Sequence, residues 1–351
     1  MGIGERLKMA RQMKGLSQRA LADEAGVSAM AISKYERDLD MPSSGVLIRL
    51  GQALDVKVEF FLRPIGISLS TPSYRRRTSL RVKDQNVILG QAQEWLERYI
   101  DVESLFGKPP EFTLPNIDRS VTTLDDVERV VSDLRQVWEL GLAPIENLVE
   151  VLEAKGIKIG VVEGAAEFDA LTLWANEHIP VIIVKRSLPG DRQRFNLAHE
   201  LGHLLLEPAA GIDEEKAAYR FAGAFLVPAP MARLELGHQR RTLHLHELHL
   251  LKHKYGLSMQ AWTYRAKDLN IISEAAAARL FREFRRKGWH RQEPGDAIPA
   301  ETPERMKRLV LRAMAEDVIS QSRAAELLGR PMAQFWQEEA ERHGGFPLVH
   351  S

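Results

Sequence analysis

The chain contains no cysteine. That excludes a disulfide framework, a thiolate metal site and a cysteine nucleophile, and leaves histidine and carboxylate to hold any metal. No apolar run approaches the ~18–20 residues that a membrane helix needs. The most hydrophobic short stretch, Pro180–Val184, reads as a core strand. The first residues, MGIGERLKMARQMKGLS, place charges every few positions and hold no signal-peptide apolar segment. The expectation is a cytoplasmic protein with no membrane contact. Net charge is missing as well, with 48 Lys and Arg against 48 Asp and Glu.

What is present is an ordinary folded composition, 44% hydrophobic and 27% charged over 351 residues, which excludes wholesale disorder and predicts two or three domains. The zero net charge is unevenly spread. Through Lys83 there are 15 basic and 8 acidic residues, a balance of +7, so the remainder carries −7. A basic head on an acidic body suggests that only the head meets a polyanion.

The head reads as a helical bundle. Ile3, Leu7, Met9, Ala10 and Met13 recur at helical spacing, and Gly15 ends that helix. Ser17 is a good N-cap for QRALADEAG, closed by Gly26, and Ser28 caps AMAISKYERD. Two short helices joined by a tight glycine-containing turn form a helix-turn-helix, whose second helix enters the major groove of double-stranded DNA. The string LSQRALADEAGVSAMAISKYERDLDMPSSGVLIRLGQALDV resembles the Cro/repressor-type, or XRE, family over residues 3 to about 62. The resemblance implies that Gln18 touches phosphate or base, and that Ser28, Ala29, Met30 and Ser33 face the groove. It places Lys34 and Arg37 for the backbone. The competing reading of this head is a protein-interaction module. Residues 65–84 read as a basic linker, in which Arg75, Arg76, Arg77, Arg81 and Lys83 add phosphate contacts or form a solvated segment.

Residues 85–155 read as a helical connector. Then IKIGVVE, ALTLWA and PVIIVK form short β-branched runs, expected as an antiparallel meander. A buried helix over Arg194–Leu206 follows and contains His199-Glu200-Leu201-Gly202-His203. On a helix, positions i and i+4 share a face, so both imidazoles can bind one Zn2+ while Glu200 stays free to act as a base. Composition alone gives about 0.03 such matches by chance in a chain this long. The third ligand is expected from the next helix, DEEKAAYRFAGAFLVP, at Glu215, with Glu214 the alternative about 100° around the helix.

These segments together resemble the ImmA/IrrE metallopeptidases. The family order runs through FDALTLW, PVIIVKRSLPGDRQRF, HELGH, E-K-A-A-Y-R-F-A and KYGLSMQAWTYRAKDLNIIS. The resemblance implies a gluzincin-like domain over 156–272 that cleaves a repressor, often one with this same type of DNA-binding domain. Two departures stand out. Tyr219 occupies a position where the family usually has Asn or Asp orienting a histidine ligand, and Glu207 stands where many relatives have His.

The fold class expected is mainly α with a small antiparallel sheet (α+β): an all-helical head, a zincin domain and a helical C-terminal region over 273–351. In that region SQSRAAELLG looks like a helix-turn-helix fragment, suited to partner or homodimer contact or to a second DNA reader. His244, His246, His249 and His253 read as a solvated helix face rather than a second metal site, and His178 as a turn residue before Pro180, with a place at the cleft border the lesser alternative. The function expected is a DNA-binding regulator with zinc-dependent endopeptidase activity, in which PVIIVK pairs with an extended substrate. The alternative is a regulator whose zincin domain senses a ligand or partner and cuts nothing.

Overall fold

The structure, a computed structural model, describes residues 3–63, 66–70, 80–107 and 109–342. Arg75, Arg76 and Arg77 of the linker lie outside the described residues. The head comprises α1 (Gly4–Met13), α2 (Gln18–Ala25), α3 (Ala29–Glu36), α4 (Ser44–Leu54) and α5 (Val58–Leu62). Ser17 Oγ accepts from the Ala20 amide and Ser28 Oγ from the Ala31 amide, each at 3.1 Å. Each such cap is worth ~1 kcal/mol. Gly26 closes α2 in the left-handed region at φ 64°, where a side chain would be strained. Leu7, Leu21, Ile32 and Leu50 fill the small core.

A long helix, α6 (Val82–Ser104), carries the head on one side and a sheet on the other. An added Cβ at Gly90 would lie 2.6 Å from Met13 Cγ, so α1 crosses α6 closely there. Buried Arg6 and half-buried Glu97 pair at 2.6 Å across the same contact. On the opposite side Ile88, Ala92 and Leu96 pack against Val162, Leu173, Val181 and Ile183.

Beyond α6 come β1 (Ser120–Val121), α7 (Asp126–Val137), α8 (Leu148–Ala154), β2 (Lys158–Val162), β3 (Ala170–Ala175) and β4 (Ile179–Lys185). The sheet is not the antiparallel meander expected. Its order is β2-β4-β3, with β2 parallel to β4 and only β3 antiparallel. Pro180–Val184 are all buried, and a strand buried on consecutive residues belongs in the centre, flanked on both edges. PVIIVK is therefore β4, with β2 and β3 on its two edges, and an added substrate strand finds no edge there. The sheet's two outer edges belong to β2 and β3. The linker residues 68–70 meet the far end of β3, where the Ser70 amide donates to Trp174 O at 2.8 Å and Leu69 bridges to Ala175.

The chain continues through α9 (Gly190–Leu205), β5 (Glu207–Pro208) and α10 (Glu214–Leu226). It then runs through α11 (Ala229–Leu236), α12 (Leu245–Tyr255), α13 (Met259–Asp268) and α14 (Glu274–Arg286). The last three helices are α15 (Arg305–Ala315), α16 (Gln321–Leu327) and α17 (Met332–Arg342). Helix α9 starts at Gly190, four residues before the expected start, because Pro189 supplies an extended N-cap. Among the described residues no helix is long and apolar enough to cross a membrane.

Helices α9 and α10 share the largest core, with Leu197, Leu201, Phe221, Phe225, Val131, Leu134 and Trp262. They touch at Gly202. A Cβ added there would sit 3.2 Å from Phe221 Cδ1 and 3.3 Å from Ala218 Cα. Gly202→Ala should therefore lower stability by about 1–3 kcal/mol through overpacking, offset in part by better helix propensity. Denaturant unfolding of the metal-free protein measures it, and an unchanged midpoint would show that the contact is not tight.

Candidate metal centre

The close contact at Gly202 sets the first turn of α10 beside the middle of α9. Asp213 caps α10 by accepting from the Glu215 and Lys216 amides, which fixes where its first turn begins. Ala218 and Phe221 turn into the core, and Glu215, one turn before Tyr219, comes out on the side facing α9. Glu214 is exposed.

The structure brings His199, His203 and Glu215 together. His199 Nε2 and His203 Nε2 are 3.1 Å apart. Glu215 Oε2 lies 3.5 Å from the first and Oε1 3.7 Å from the second. Tetrahedral ligands bound at ~2.0–2.1 Å are separated by about 3.3 Å, so these spacings fit one ion held by all three side chains. Among the described residues this is the only group of three or more histidines or carboxylates so assembled. The residues can hold a metal ion.

Burial tunes the neighbours in opposite directions. Desolvation, with His203 beside it, pushes His199 down to about 3, so its imidazole is neutral near pH 7 and has a lone pair to give. Glu200 is buried and pushed up to about 7 by desolvation, reinforced by the charge of Glu215. The Thr172 hydroxyl opposes that shift by donating to Glu200 Oε2 at 2.7 Å. Thr172 was invisible in the sequence, because strand alternation around ALTLWA does not say which residue lies over α9. The pairing of β3 with β4 puts Thr172 opposite Ile182 and against the helix.

Two buried arginines, also missed from sequence, hold the far end of α10. Arg135 donates to Phe225 O at 2.6 Å, and Arg265 donates to Val227 O at 2.9 Å. Arg265 also grips both oxygens of Glu128, at 2.5 and 2.7 Å. Helix ends leave carbonyls without intrahelical donors, and these guanidinium groups supply them.

The other histidines fall elsewhere. His244 Nδ1 accepts from the His246 amide in a capping box with Glu247, while His246 and His253 are exposed on α12. His178 lines a cavity of about 560 Å³ with Glu103, Phe112 and Lys158, whose lining includes none of the metal-centre residues. Glu207 is taken up by an ion pair with Arg119.

On the head, Ala29, Met30, Lys34 and Arg37 are exposed, with Met30 at 66%. Ser33 is half-buried, and its carbonyl accepts from Arg37 Nε at 3.0 Å. Ser28 and Gln18 also have internal partners. The Ser28 hydroxyl caps α3, and Gln18 Nε2 donates at 2.7 Å to Glu36, which is itself paired with Arg11.

Comparison with known proteins agrees with this architecture. Residues 153–267 match the peptidase family described as the IrrE N-terminal-like domain, and residues 7–61 match the helix-turn-helix family. The chain thus joins a helix-turn-helix of the XRE type to a domain of the ImmA/IrrE metallopeptidase family. Its head is 34% identical over 62 residues to the HTH-type transcriptional regulator ImmR of Bacillus subtilis, covering 18% of this chain and 49% of that protein. It is 38% identical over 61 residues to the prophage-derived uncharacterized regulator YonR of the same organism, covering 17% and 56%. An uncharacterized HTH-type regulator of Sinorhizobium medicae is 34% identical over 59 residues, covering 17% and 42%. The chain spans about half the length of the curated relatives it matches.

If Glu215 completes the centre, Glu215→Ala should weaken zinc binding by 100-fold or more, as for loss of a direct ligand, and Glu214→Ala by less than about twofold. Competition with a chromophoric chelator separates the two, and equal losses would put the third ligand elsewhere.

Proposed function

We propose that the protein is a DNA-binding transcriptional regulator with zinc-dependent endopeptidase activity, directed at a repressor-type protein. The observation that carries the peptidase reading is the His199–His203–Glu215 triangle with buried Glu200 next to it in sequence. A zinc ion held by these residues supplies Lewis acidity, polarising a scissile carbonyl and making water a stronger acid.

The chain's own residues do the rest. Neutral His199 offers its Nε2 lone pair. Glu200, as a carboxylate, accepts the proton of the attacking water and returns it to the departing amine. The Thr172 hydroxyl orients that carboxylate while in its 2.7 Å hydrogen bond. An extended substrate adds to the outer edge of β3, the strand that carries Thr172, and the requirement for an extended segment selects exposed stretches of a repressor. The DNA-binding reading is supported by the helix-turn-helix match and by exposed Lys34 and Arg37 beside Ala29 and Met30.

Incubation of the protein with candidate repressors, with and without zinc, tests the peptidase. Cleavage should need zinc and should fall at least about 1,000-fold in Glu200→Gln, which keeps the metal. Its rate should drop in acid with a midpoint below 7, because zinc favours the ionised Glu200 and the base is lost as pH falls through that value. Zinc-loaded protein that cuts no repressor would favour the sensing reading. For the head, full-length protein stripped of metal should still bind duplex DNA, with affinity falling steeply as salt rises. Lys34→Ala and Arg37→Ala should weaken binding across sequences and reduce the salt slope by about one each. Salt-insensitive binding, or none at low ionic strength, would make the head a protein-docking module.

A further inference from the structure

Tyr219 is the one residue of the metal centre that departs from the pattern, and its placement is unusual for so large a side chain. It is 56% exposed, yet its ring centroid lies 4.4 Å from that of His199, with the planes at 48°. It also stacks at 6.1 Å and 25° on Phe195, one helical turn before His199 on α9. Tyr219 itself is one turn after Glu215 on α10. The Tyr219 ring thus touches both the imidazole of His199 and the ring of Phe195, bridging from α10 to α9.

Metal binding requires the imidazole plane to stay within about 10–20° of one orientation, because its lone pair lies in that plane. Rotation about the terminal side-chain torsion is soft, so something must restrain it. A polar partner at the other ring nitrogen is one such device, and the Tyr219 ring, packed against the imidazole at a 48° tilt, supplies a steric one. Such packing also gains when a cation binds. A coordinated imidazole is electron-poor, and the negative face of an aromatic ring attracts it.

We infer that Tyr219 is a positioning residue, whose ring fixes the tilt of His199 and thereby raises the affinity of the centre for its metal. The inference rests on the reading of His199, His203 and Glu215 as ligands. The ring does the work, so the hydroxyl is dispensable.

Zinc and cobalt(II) binding to the full-length protein test it. Tyr219→Ala should lower zinc affinity about 10–100-fold and alter the visible spectrum of the cobalt form, since the ligand field changes when an imidazole tilts. Tyr219→Phe should bind within about twofold of the unaltered protein and keep its spectrum. Unfolding of the metal-free variants controls for the fold, which a half-exposed side chain should disturb little. Unchanged affinity and spectrum in Tyr219→Ala would overturn the inference, and so would an equal loss in Tyr219→Phe, which would assign the effect to the hydroxyl. Full zinc retention by His199→Ala would instead overturn the metal-centre reading on which it rests.

Discussion

The distance between α9 and α10 is the constraint on which the site depends. Gly202 leaves a gap filled by Phe221 and Ala218, and no other residue type fits without displacing α10 by some tenths of an ångström. Ala218 makes its own contribution, because a larger side chain there would hold the helices apart from the other side. At its far end α10 is held by Arg135 and Arg265, whose guanidinium groups bond Phe225 O in its last turn and Val227 O at its C-cap. Glu215 is therefore delivered by a rigid element fixed at both ends, as a ligand to a small ion requires. A carboxylate on a loop would wander by more than the spread of the observed spacings.

The electrostatics of the site are those of a cluster awaiting positive charge. The charge of Glu215 adds to desolvation in raising the cost of ionising Glu200, and among the described residues no guanidinium or ammonium pairs with Glu200. The linkage has a definite sign. Glu200 holds its proton more firmly in the folded, metal-free protein than in the unfolded chain. Its contribution to stability is thus fully present below the ordinary carboxylate range and is lost as pH rises through about 7. A divalent cation reverses this, since it stabilises the ionised form and releases the proton. The arrangement costs stability without metal and offers a base where metal is bound.

Much of this was legible in the sequence, for identifiable reasons. Helix caps are local, so Ser17, Ser28 and Gly26 announced the head from a few neighbouring residues. The i, i+4 histidines also report on a single helix, and the amphipathic pattern of α10 indicated which side Glu215 takes. Sheet order was not legible, because β-branched runs give strands without saying which lie in the middle. Consecutive burial of Pro180–Val184 is a property of the finished fold, and it puts β4 in the centre with β2 and β3 at the edges. Thr172, Arg135 and Arg265 were invisible for a related reason, since their partners lie 28, 90 and 38 residues away. The tail shows the opposite case. SQSRAAELLG repeats the serine-to-glycine spacing of the head, and Ser320 caps α16 while Gly329 takes φ 66°, as Ser17 and Gly26 do with φ 64°.

The head is not merely strung to the rest by a linker. Helix α6 belongs to three packing interfaces: Gly90 and Glu97 meet α1, Ile88 and Leu96 meet the sheet, and Arg98 donates to Leu327 O in the tail at 3.0 Å. The Arg6–Glu97 pair joins a buried arginine to a half-buried carboxylate, and Arg6 also donates to Arg63 O at 3.0 Å, so the contact ties α6 to both ends of the head. A flexible tether would make no such contact and would let the two halves move independently. The same helix touches the linker, where Gln93 Nε2 donates to Ile67 O at 3.3 Å, and Ile67 shares a core with Leu173 and Ala175 of β3. The outer edge of β3, the linker laid on its end and the base of the helix-turn-helix are thus joined through one rigid element. A peptide that displaced residues 68–70 from β3 would compete with the Ser70–Trp174 hydrogen bond next to the core that Ile67 shares with α6.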